Sequence, residues 1–261
     1  INNFIDKFIN KPMNIYFCGT IRASHGIHKH PLHNLFGYGC TIKMGDNLGD
    51  DYYMCIFPTN GGIPFETKQV ISHNHTVVKG FTLDGNCMNN KSGDRYVFKS
   101  VYGGVISHEI YNEDVSPYSK TQLVSDITLE DITAINTMRG IIVGIGWKAS
   151  NLTIGDSMTD HALYMAGADN AIVENVYVSG FQKSGAISIS GQSWDVQRKV
   201  SNIHLNNVTL DECEAENGAY LDIRGHFSSI GNNKGLDDVF IDGFYIKRLN
   251  ENVETIVATI G

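Results

Sequence analysis

A nine-residue pattern recurs along the chain and restricts the folds that this sequence can adopt. An Asn or Asp anchor is followed by apolar residues one, three, six and eight places later, with Asp, Asn or Gly in the fifth place. HTVVKGFTL from His75 fits with His as its anchor, whereas NLTIG from Asn151 fits only the first half of the pattern. The segments that match in full are DITLEDITA from Asp126, NAIVENVYV from Asn170, NIHLNNVTL from Asn202 and DVFIDGFYI from Asp238.

Each of these segments is followed by a second alternating segment that ends in or near Gly. Alternation with a period of two is typical of β-strands and not of helices. Strand pairs that recur every few tens of residues, with loops of variable length, predict a solenoid of stacked turns. The 51 residues between His75 and Asp126 are interpreted as two such turns. The second segments are GIIVGIG (140–146), HALYMAG (161–167), GAISISG (185–191), GAYLDIRG (218–225) and ETIVATIG (254–261).

The composition supports an all-β chain. There are 27 Gly and only 5 Pro, Asn is frequent, and no long Ala, Leu, Glu or Lys runs occur, which disfavours a helical bundle. The alternative is a β-sandwich, whose strands would follow one another every ~8–12 residues. The longer repeat favours the solenoid, and its equivalent polar anchors predict stacked Asn and Asp side chains at the turns.

Charge and cysteine content exclude several classes of protein. The net charge of −8 and the absence of a basic stripe argue against nucleic-acid binding. No apolar run approaches the ~20 residues of a membrane span, so no membrane insertion is expected. The five cysteines are widely spaced without a C-x-x-C pair, which argues against disulfides and a thiolate zinc site. Because the chain begins with Ile and ends in a strand-like segment, we expect a fragment of a longer protein.

Several repeats resemble a known fold. HNHTVVKGFTLDGN, SDITLEDITAIN and SNIHLNNVTLDECEAENGAYLDIRG resemble coils of the right-handed parallel β-helix shared by pectate lyases, polygalacturonases and bacteriophage tailspikes. VKGFTLDGN is similar to an early coil of phage tailspikes of the pectate-lyase superfamily, and NIYFCGTI with LHNLFGYGCTIKM resembles their entry coils. The resemblance implies one all-β domain over 1–261, a right-handed single-stranded parallel β-helix with entry coils at 14–70 and main coils at 71–261.

The same resemblance implies a function. It suggests a tailspike or appendage in the virion tail that adheres to the host, binds a bacterial cell-surface polysaccharide and cleaves it as a lyase or glycoside hydrolase. Expected partners are two further copies in a homotrimer and other virion tail proteins. The alternatives are a non-catalytic receptor-binding or structural shaft of the virion, and a secreted bacterial polysaccharide enzyme of the same fold.

Alignment of the second segments on their closing glycines predicts which faces they present. Two columns of apolar residues would point inward, and the residues between them would form an exposed shallow trough with small side chains at its centre. Such a trough suits a polysaccharide, because small residues leave room, rings stack on sugars and charged groups bond hydroxyls. A face covered by a neighbouring subunit and an idle solvated surface are the alternatives. The inward columns are Leu163/Ile187/Leu221 and Met165/Ile189/Ile223; the outward columns are Ala162/Ala186/Tyr220, Tyr164/Ser188/Asp222 and Ala166/Ser190/Arg224.

Two reactions could use this trough. Hydrolysis needs two carboxyl groups, about 5–5.5 Å apart for retention or about 6.5–9.5 Å for inversion. Asp222 would be one and Asp195, in the loop after Ser190, the other, with Glu214 or Glu216 as substitutes. Elimination from a uronic acid needs a base, a cation and an acid. Candidates for those roles are Tyr164, Arg224 and His161. For hydrolysis, Asp160 is expected to lie too far along its strand, and two coils away, to be the second carboxylate beside Asp222. Tyr220, Trp194, Ser188 and Ser190 are candidate substrate-binding residues.

Potential metal ligands occur in two kinds of segment, but neither has the spacing of a known site. HGIHKHPLH (25–33) holds four histidines in a spacing that matches no zinc motif, so the segment is interpreted as a polar loop and no metal site is predicted. Acidic groups at 45–51 and 236–238 could bind Ca²⁺, although they lack a fixed ligand pattern. No cofactor is required by the expected chemistry.

Overall fold

The apolar positions of the nine-residue pattern lie on β-strands in a computed structural model of the chain. It describes residues 1–48, 55–58, 69–92, 95–96, 99–102, 106–107, 121–158, 160–190, 201–216, 219–224, 226–227, 233–234, 236–249 and 258–260. A short helix, α1 (Asn2–Ile5), precedes a 3₁₀ turn (Asp6–Phe8), and a second 3₁₀ turn spans Cys87–Asn89. Within the described residues, no helix is long and apolar enough to cross a membrane.

The strands make up most of the described chain. The first ten are β1 (Met13–Tyr16), β2 (Thr20–Ala23), β3 (His33–Met44), β4 (Cys55–Pro58), β5 (Gln69–Asp84), β6 (Lys91–Ser92), β7 (Arg95–Tyr96), β8 (Lys99–Tyr102), β9 (Ile106–Ser107) and β10 (Thr121–Ile135). The remainder are β11 (Arg139–Ile142), β12 (Lys148–Ile154), β13 (His161–Ala166), β14 (Ile172–Gln182), β15 (Gly185–Ser190), β16 (Ile203–Ala215), β17 (Leu221–Arg224), β18 (His226–Phe227), β19 (Asn233–Lys234), β20 (Val239–Leu249) and β21 (Ala258–Ile260).

The long strands form two sheets in which neighbouring strands run parallel. Among the described residues the first sheet has the order β1-β3-β5-β10-β12-β14-β16-β20, with β2 beside β3 and β9 antiparallel beside β10. The second sheet has the order β21-β17-β15-β13-β11-β8-β4. Two small antiparallel ladders, β6–β7 and β18–β19, lie outside both sheets. The fold is therefore all-β with mostly parallel strands, which is compatible with the predicted solenoid.

The chain alternates between the two sheets. We call one long strand of the first sheet, together with the next strand of the second sheet, a repeat; β14 with β15 and β16 with β17 are examples. In these two repeats, β14 pairs with β16 in the first sheet and β15 pairs with β17 in the second. Residues distant in the sequence are thereby placed side by side, at the ~4.8 Å spacing of paired strands.

The inward columns predicted from the sequence are confirmed. Leu163 pairs with Ile187 and Ile187 with Leu221, while Met165, Ile189 and Ile223 are aligned in the same way. All of these except the partly buried Ile223 are buried in one hydrophobic core with the apolar residues of the first sheet. The alternating pattern places these apolar side chains on one face of the sheet. Burial of each Leu or Ile on that face stabilises the fold by about 1.5–3 kcal/mol.

The polar anchors adopt the left-handed backbone conformation. Asp126, Asn170, Asn202 and Asp238 have φ between 51° and 61°, and the fifth-place residues, such as Asn175 at 56°, do the same. Asn, Asp and Gly tolerate this conformation better than other residues, which explains their recurrence. The predicted stacking of anchors is seen where Asn202 Nδ2 donates to Asn170 Oδ1 at 3.0 Å. The fifth-place side chains form a second ladder that was not predicted, with Nδ2-to-Oδ1 distances of 2.9 Å for Asn151 to Asp131, 3.1 Å for Asn175 to Asn151 and 2.8 Å for Asn207 to Asn175.

Two expectations about the repeat are wrong. Asn151 is a fifth-place residue and not an anchor, because the anchor of its repeat is Gly146. Gly146 has φ of 65° and is therefore in the same left-handed region as the other anchors. Glycine supplies that conformation without a polar side chain, so the search for Asn or Asp overlooked it. The 51 residues from His75 to Asp126 are also not two turns, since β5 pairs directly with β10. They form one repeat with long insertions between β5 and β10.

The described cysteines behave as core residues. Cys18, Cys40, Cys87 and Cys213 are free thiols, and all except Cys18 are buried. Burial raises the pKa of Cys87 and of Cys213 to about 12, so these two thiols stay protonated at neutral pH. This matches the interpretation of the cysteines as small apolar side chains.

Candidate functional site

The strand register of the predicted trough is as expected. Tyr164 pairs with Ser188, which pairs with Asp222, and Ser190 pairs with Arg224 on the neighbouring strand. The side chain of Arg224 lies outside the described residues, as do Trp194 and Asp195 altogether. The candidate residues of β13, β15 and β17 are thus adjacent in the second sheet.

The exposure predicted for this face is wrong. Ser188 and Ser190 are buried, with 0% and 2% of their surface exposed, and Asp222 is 7% exposed. Serine projects little from the backbone, and Ser188 is flanked at ~4.8 Å by the longer side chains of Tyr164 and Asp222. The candidate residues line up, but they do not form an open trough.

Tyr220 is also placed differently from the prediction. Its ring belongs to the hydrophobic core, and its hydroxyl donates a hydrogen bond to the carbonyl of Cys213 at 2.9 Å. Strand β17 begins at Leu221, so Tyr220 precedes the strand and the alternation does not extend to it. Tyr220 therefore helps to join the two sheets and offers no surface for a sugar.

The substitute carboxylates lie at the end of β16, in or next to the other sheet. Glu214 is aligned with Phe181 of β14, one residue before the pairing ends. Glu216 accepts a hydrogen bond from Lys183 Nζ at 2.5 Å. Neither observation places a second carboxylate beside Asp222, so the pair of acids that hydrolysis needs is not assembled by the described residues.

A cluster of four side chains forms at the start of two neighbouring strands of the second sheet. We call Arg139, Asp160, His161 and Tyr164 the His161 cluster. Arg139 begins β11 and His161 begins β13, and these strands pair in register two residues further on, at Ile141 and Leu163. Arg139 and His161 are therefore level with each other, and the carboxylate of Asp160 reaches both.

The contacts within the His161 cluster are close. Asp160 Oδ2 lies 2.5 Å from Arg139 Nε, while Asp160 Oδ1 contacts His161 Nδ1 and accepts from the His161 backbone N–H at 3.0 Å. The rings of His161 and Tyr164 stack with centroids 5.2 Å apart and planes at 19°. His161 and Asp160 are largely buried, whereas Tyr164 is partly exposed and 26% of the Arg139 side chain is exposed.

The charges of the His161 cluster are fixed by these contacts. Burial alone would raise the pKa of Asp160, but the hydrogen bond from His161 and the charge of Arg139 outweigh it and lower that pKa below the usual 3.8. Asp160 is therefore ionised at neutral pH. In a neutral imidazole, an anionic acceptor at Nδ1 favours the tautomer with the proton on that nitrogen, and the lone pair is then on Nε2.

Small residues around His161 make room for the cluster. Ser157 Oγ donates hydrogen bonds to the carbonyls of His161 at 3.0 Å and Met138 at 3.3 Å. Gly185 lies beside His161 on the next strand, and a Cβ there would lie 2.5 Å from the carbonyl oxygen of Ala219. No larger residue fits at that position, so the glycine allows the three strands to approach closely.

The sequence prediction of this cluster was incomplete. His161 and Tyr164 were expected to act together, and they do lie together. Asp160 was considered only as a partner of Asp222 and given no role beside His161, which it contacts directly, and Arg139 was overlooked. An acid immediately before the first strand residue, with a base at the start of the preceding strand, is the signal that could have found them.

Exposed aromatic rings form a second candidate surface on the first sheet. We call Tyr16, Phe36 and Tyr38 the aromatic stack: the centroids of Tyr16 and Phe36 are 5.3 Å apart, and each lies 6.1 Å from Tyr38. The rings are within 21° of parallel. Tyr16 is 63% exposed and Tyr38 is 73% exposed, so the stack faces solvent.

The backbone that carries the aromatic stack is strained. Tyr38 has φ of 42°, a left-handed conformation that a bulky aromatic residue rarely adopts. The pairing of β3 with β5 shifts between Phe36 and Cys40, which makes room for the extra residues. A Cβ on Gly37 would lie 2.4 Å from the carbonyl oxygen of Gly80, so that glycine is required. Local strain that displays an exposed ring is typical of a binding site.

The expected Ca²⁺ segments contain acids with other partners. Asp46 Oδ2 lies 2.5 Å from Arg22, and its Oδ1 accepts from Asn86 Nδ2 at 2.8 Å. Residues 49–51 lie outside the described residues, and Asp238 is a left-handed anchor with φ of 51°. Ca²⁺ binding at 45–51 or 236–238 stays a prediction.

Comparison with known proteins does not identify the chain. No family model matches it, and no curated protein or solved structure matches it. The functional conclusions therefore depend on the fold, the His161 cluster and the aromatic stack.

Proposed function

We propose that this protein is a right-handed single-stranded parallel β-helix domain of the phage tailspike type. The support is the alternation of the chain between two parallel sheets, with one strand of each sheet per repeat. The left-handed Asn and Asp positions and their side-chain ladder add to it, since stacked turns bring equivalent residues together. The resemblance of the repeats to tailspike coils supplies the biological setting.

We further propose that the domain binds a bacterial surface polysaccharide that contains uronic acid and cleaves it by elimination. The observation that carries this proposal is the contact of the Asp160 carboxylate with His161, whose ring stacks on Tyr164. A histidine held by a carboxylate is a general base, a phenol is a proton donor, and Arg139 adds a cation. These are the three kinds of group that elimination requires.

Each group has a role in the proposed reaction. His161 Nε2 takes the proton from C5 of the uronate, and the electrons of that C–H bond form the C4=C5 double bond. The C4–O bond breaks, and the leaving oxygen takes a proton from the Tyr164 hydroxyl. Arg139 lies near the substrate carboxylate and stabilises the negative charge that develops there, while Asp160 orients the imidazole.

Elimination is preferred to hydrolysis for a physical reason. A glycosidase acid must hold its proton near neutral pH, which requires a raised pKa. Asp160 has a lowered pKa because it bonds to His161 and Arg139. It can orient a base, but it is a poor proton donor.

The test is the ultraviolet absorbance of the unsaturated uronide that elimination produces. The chain is incubated with uronate-containing capsular polysaccharides and, for comparison, with neutral ones. Replacement of His161 by Gln should lower the rate by about 10²–10⁴-fold, because general base catalysis is removed. His204→Gln, on the first sheet, is the matched control and should keep the parent rate. Absence of product from every polysaccharide, or an unchanged rate in His161→Gln, would contradict the proposal.

A non-catalytic receptor-binding domain is the second candidate. It is favoured by the burial of Ser188, Ser190 and Asp222, so that the described residues form no open cleft over their strands. The exposed aromatic stack offers flat rings on which sugars pack. In that case the chain should bind polysaccharide without forming product, and binding should be lost in Tyr16→Ala with Tyr38→Ala while the His161→Gln variant binds normally.

Assembly is proposed from the tailspike resemblance alone. We expect a homotrimer located in the virion tail, in contact with other virion tail proteins. For a chain of 28.8 kDa, light scattering should give three times that mass. A monomer at micromolar concentration would contradict the trimer without affecting the proposed chemistry.

A further inference from the structure

The histidine-rich segment lies against the N-terminal helix. Residues 25–32 connect β2 to β3 and are fixed to α1 through Asn2. Asn2 Nδ2 donates to the carbonyl of Gly26 at 2.8 Å, and Asn2 Oδ1 accepts from the backbone N–H of His28 at 3.1 Å. The loop and the first 3₁₀ turn are thereby held in a defined relative position.

Two imidazoles converge on one carboxylate at this junction. His28 Nδ1 lies 2.9 Å and His30 Nε2 lies 2.7 Å from the same oxygen, Oδ1 of Asp6. The three potential ligand atoms all lie within 4.8 Å of one another. Lys29, between the two histidines, points elsewhere, since its Nζ donates to Thr76 Oγ1 at 2.7 Å and to the carbonyl of His30 at 2.8 Å. Both histidines therefore face Asp6, whereas Lys29 does not.

Hydrogen bonding alone leaves this arrangement incompletely satisfied. A single carboxylate oxygen would accept from two imidazoles, and among the described residues the other ring nitrogen of His30, Nδ1, has no hydrogen-bond partner although it is buried. His33, edge-to-face with His30 at 5.2 Å, also has a buried Nδ1 without a partner among those residues. An ion at His30 Nε2 would not contact these two Nδ1 atoms; what an ion would explain is the convergence of both imidazoles on Asp6 Oδ1.

This junction is accessible to an ion from solvent. Asp6 and His28 line a cavity of about 580 Å³, and this cavity is open to solvent on one side.

We propose that Asp6, His28 and His30 bind one divalent transition-metal ion of the Zn²⁺ class. Imidazole nitrogen is a preferred ligand of Zn²⁺, Co²⁺ and Ni²⁺, whereas Ca²⁺ and Mg²⁺ prefer oxygen ligands. Three protein ligands leave a fourth position toward the cavity. The ion ties the 3₁₀ turn to the loop before β3 and so fastens the N-terminal helix to the end of the first sheet. This site is separate from the His161 cluster and does not depend on the proposed elimination.

The direct test is a Co²⁺ titration of the whole chain after treatment with a chelator. One equivalent of Co²⁺ should produce the visible absorption of a low-coordinate site, and Zn²⁺ should displace it. Asp6→Asn and His28→Gln should each weaken binding by more than about 100-fold, since even loss of a second-shell partner costs 10–100-fold. His25→Gln is the matched control, because His25 lines the same cavity but is not one of the three ligands.

The controls separate a specific site from surface binding by the other histidines. Circular dichroism checks that each variant folds. For the parent alone, Zn²⁺ should raise the melting temperature and slow amide exchange in residues 1–8 and 25–30, a result that needs no variant. No stoichiometric Co²⁺ spectrum, equal affinity in the ligand variants, loss of binding in His25→Gln, or unchanged amide exchange would each overturn the proposal.

Discussion

The two sheets are built from the same alternating pattern, yet their outer faces differ. On β16 of the first sheet, apolar residues such as Ile203 and Leu205 are buried while His204 and Asn206 are partly exposed. On β15 of the second sheet, every residue from Gly185 to Ser190 is buried. Alternation therefore determines which side chains share a face, whereas exposure depends on what surrounds that face.

The difference separates two kinds of candidate site. The first sheet displays rings in solvent, as in the aromatic stack, and such a surface can bind a polymer without moving. The second sheet holds ionisable groups in partial burial, where their charges interact strongly and their pKa values shift. Binding is expected of the first sheet and chemistry of the second. Unfolding measurements on variants of both sheets test the difference in burial on which this expectation depends.

The largest effect is expected at Asp160 on the second sheet. Asp160→Asn leaves Arg139 without its anionic partner and should lower the free energy of unfolding by about 2–3 kcal/mol, less than a fully buried pair because Arg139 is partly exposed. The pKa of Asp160 is lower in the folded chain than in the unfolded chain, so its contribution is complete above about pH 4 and is lost as the pH falls through the folded-state value.

Urea unfolding of parent and variant at neutral pH and at a series of pH values below about 4 measures both effects, because the pKa of the carboxylate is lower in the folded than in the unfolded chain. The two proteins should differ most at neutral pH and converge in acid. Glu174→Gln, on the exposed side of the first sheet, should change stability by less than about 0.5 kcal/mol. A constant difference between parent and Asp160→Asn across this pH range would show that the ion pair is not the cause.

The next effect compares equivalent outer positions on the two sheets. Ser188→Leu should cost about 2 kcal/mol because the added carbons have no room on a buried face. Thr209→Leu, on the partly exposed face of the first sheet, should change stability by less than about 0.5 kcal/mol. Thermal and urea unfolding would measure both. If Ser188→Leu left the free energy of unfolding unchanged, this face of the second sheet would be open in solution, as the trough predicted from the sequence requires.

The sequence predicted the register of the second sheet correctly where closing glycines marked it. Leu163, Ile187 and Leu221 align because each lies four residues before such a glycine. In the preceding strand Ile141 aligns with Leu163, but the residue four places later is Ile145 and not glycine. The rule fails there, which is why Arg139 was not placed beside His161.

Exposure could not be predicted because it is not a local property. Tyr220 has the spacing of an outward residue, but it precedes the strand and bonds to Cys213 in the core. The aromatic stack was overlooked for a related reason, since Tyr38 lies where the pairing of β3 with β5 is interrupted. Patterns read along one strand cannot report such interruptions, although the glycines on both sides of Tyr38 were a usable signal.

The smallest effect is expected in the ladder that borders the first sheet. Asn175 has φ of 56°, donates to Asn151 Oδ1 and accepts from Asn207 Nδ2. Asn175→Ala should cost about 1 kcal/mol, mostly because alanine is disfavoured in the left-handed conformation. Asn175→Gly keeps that conformation and loses only exposed hydrogen bonds, so it should cost a few tenths of a kcal/mol at most. If unfolding experiments gave equal losses for both variants, the side-chain ladder and not the backbone conformation would explain why Asn recurs at this place.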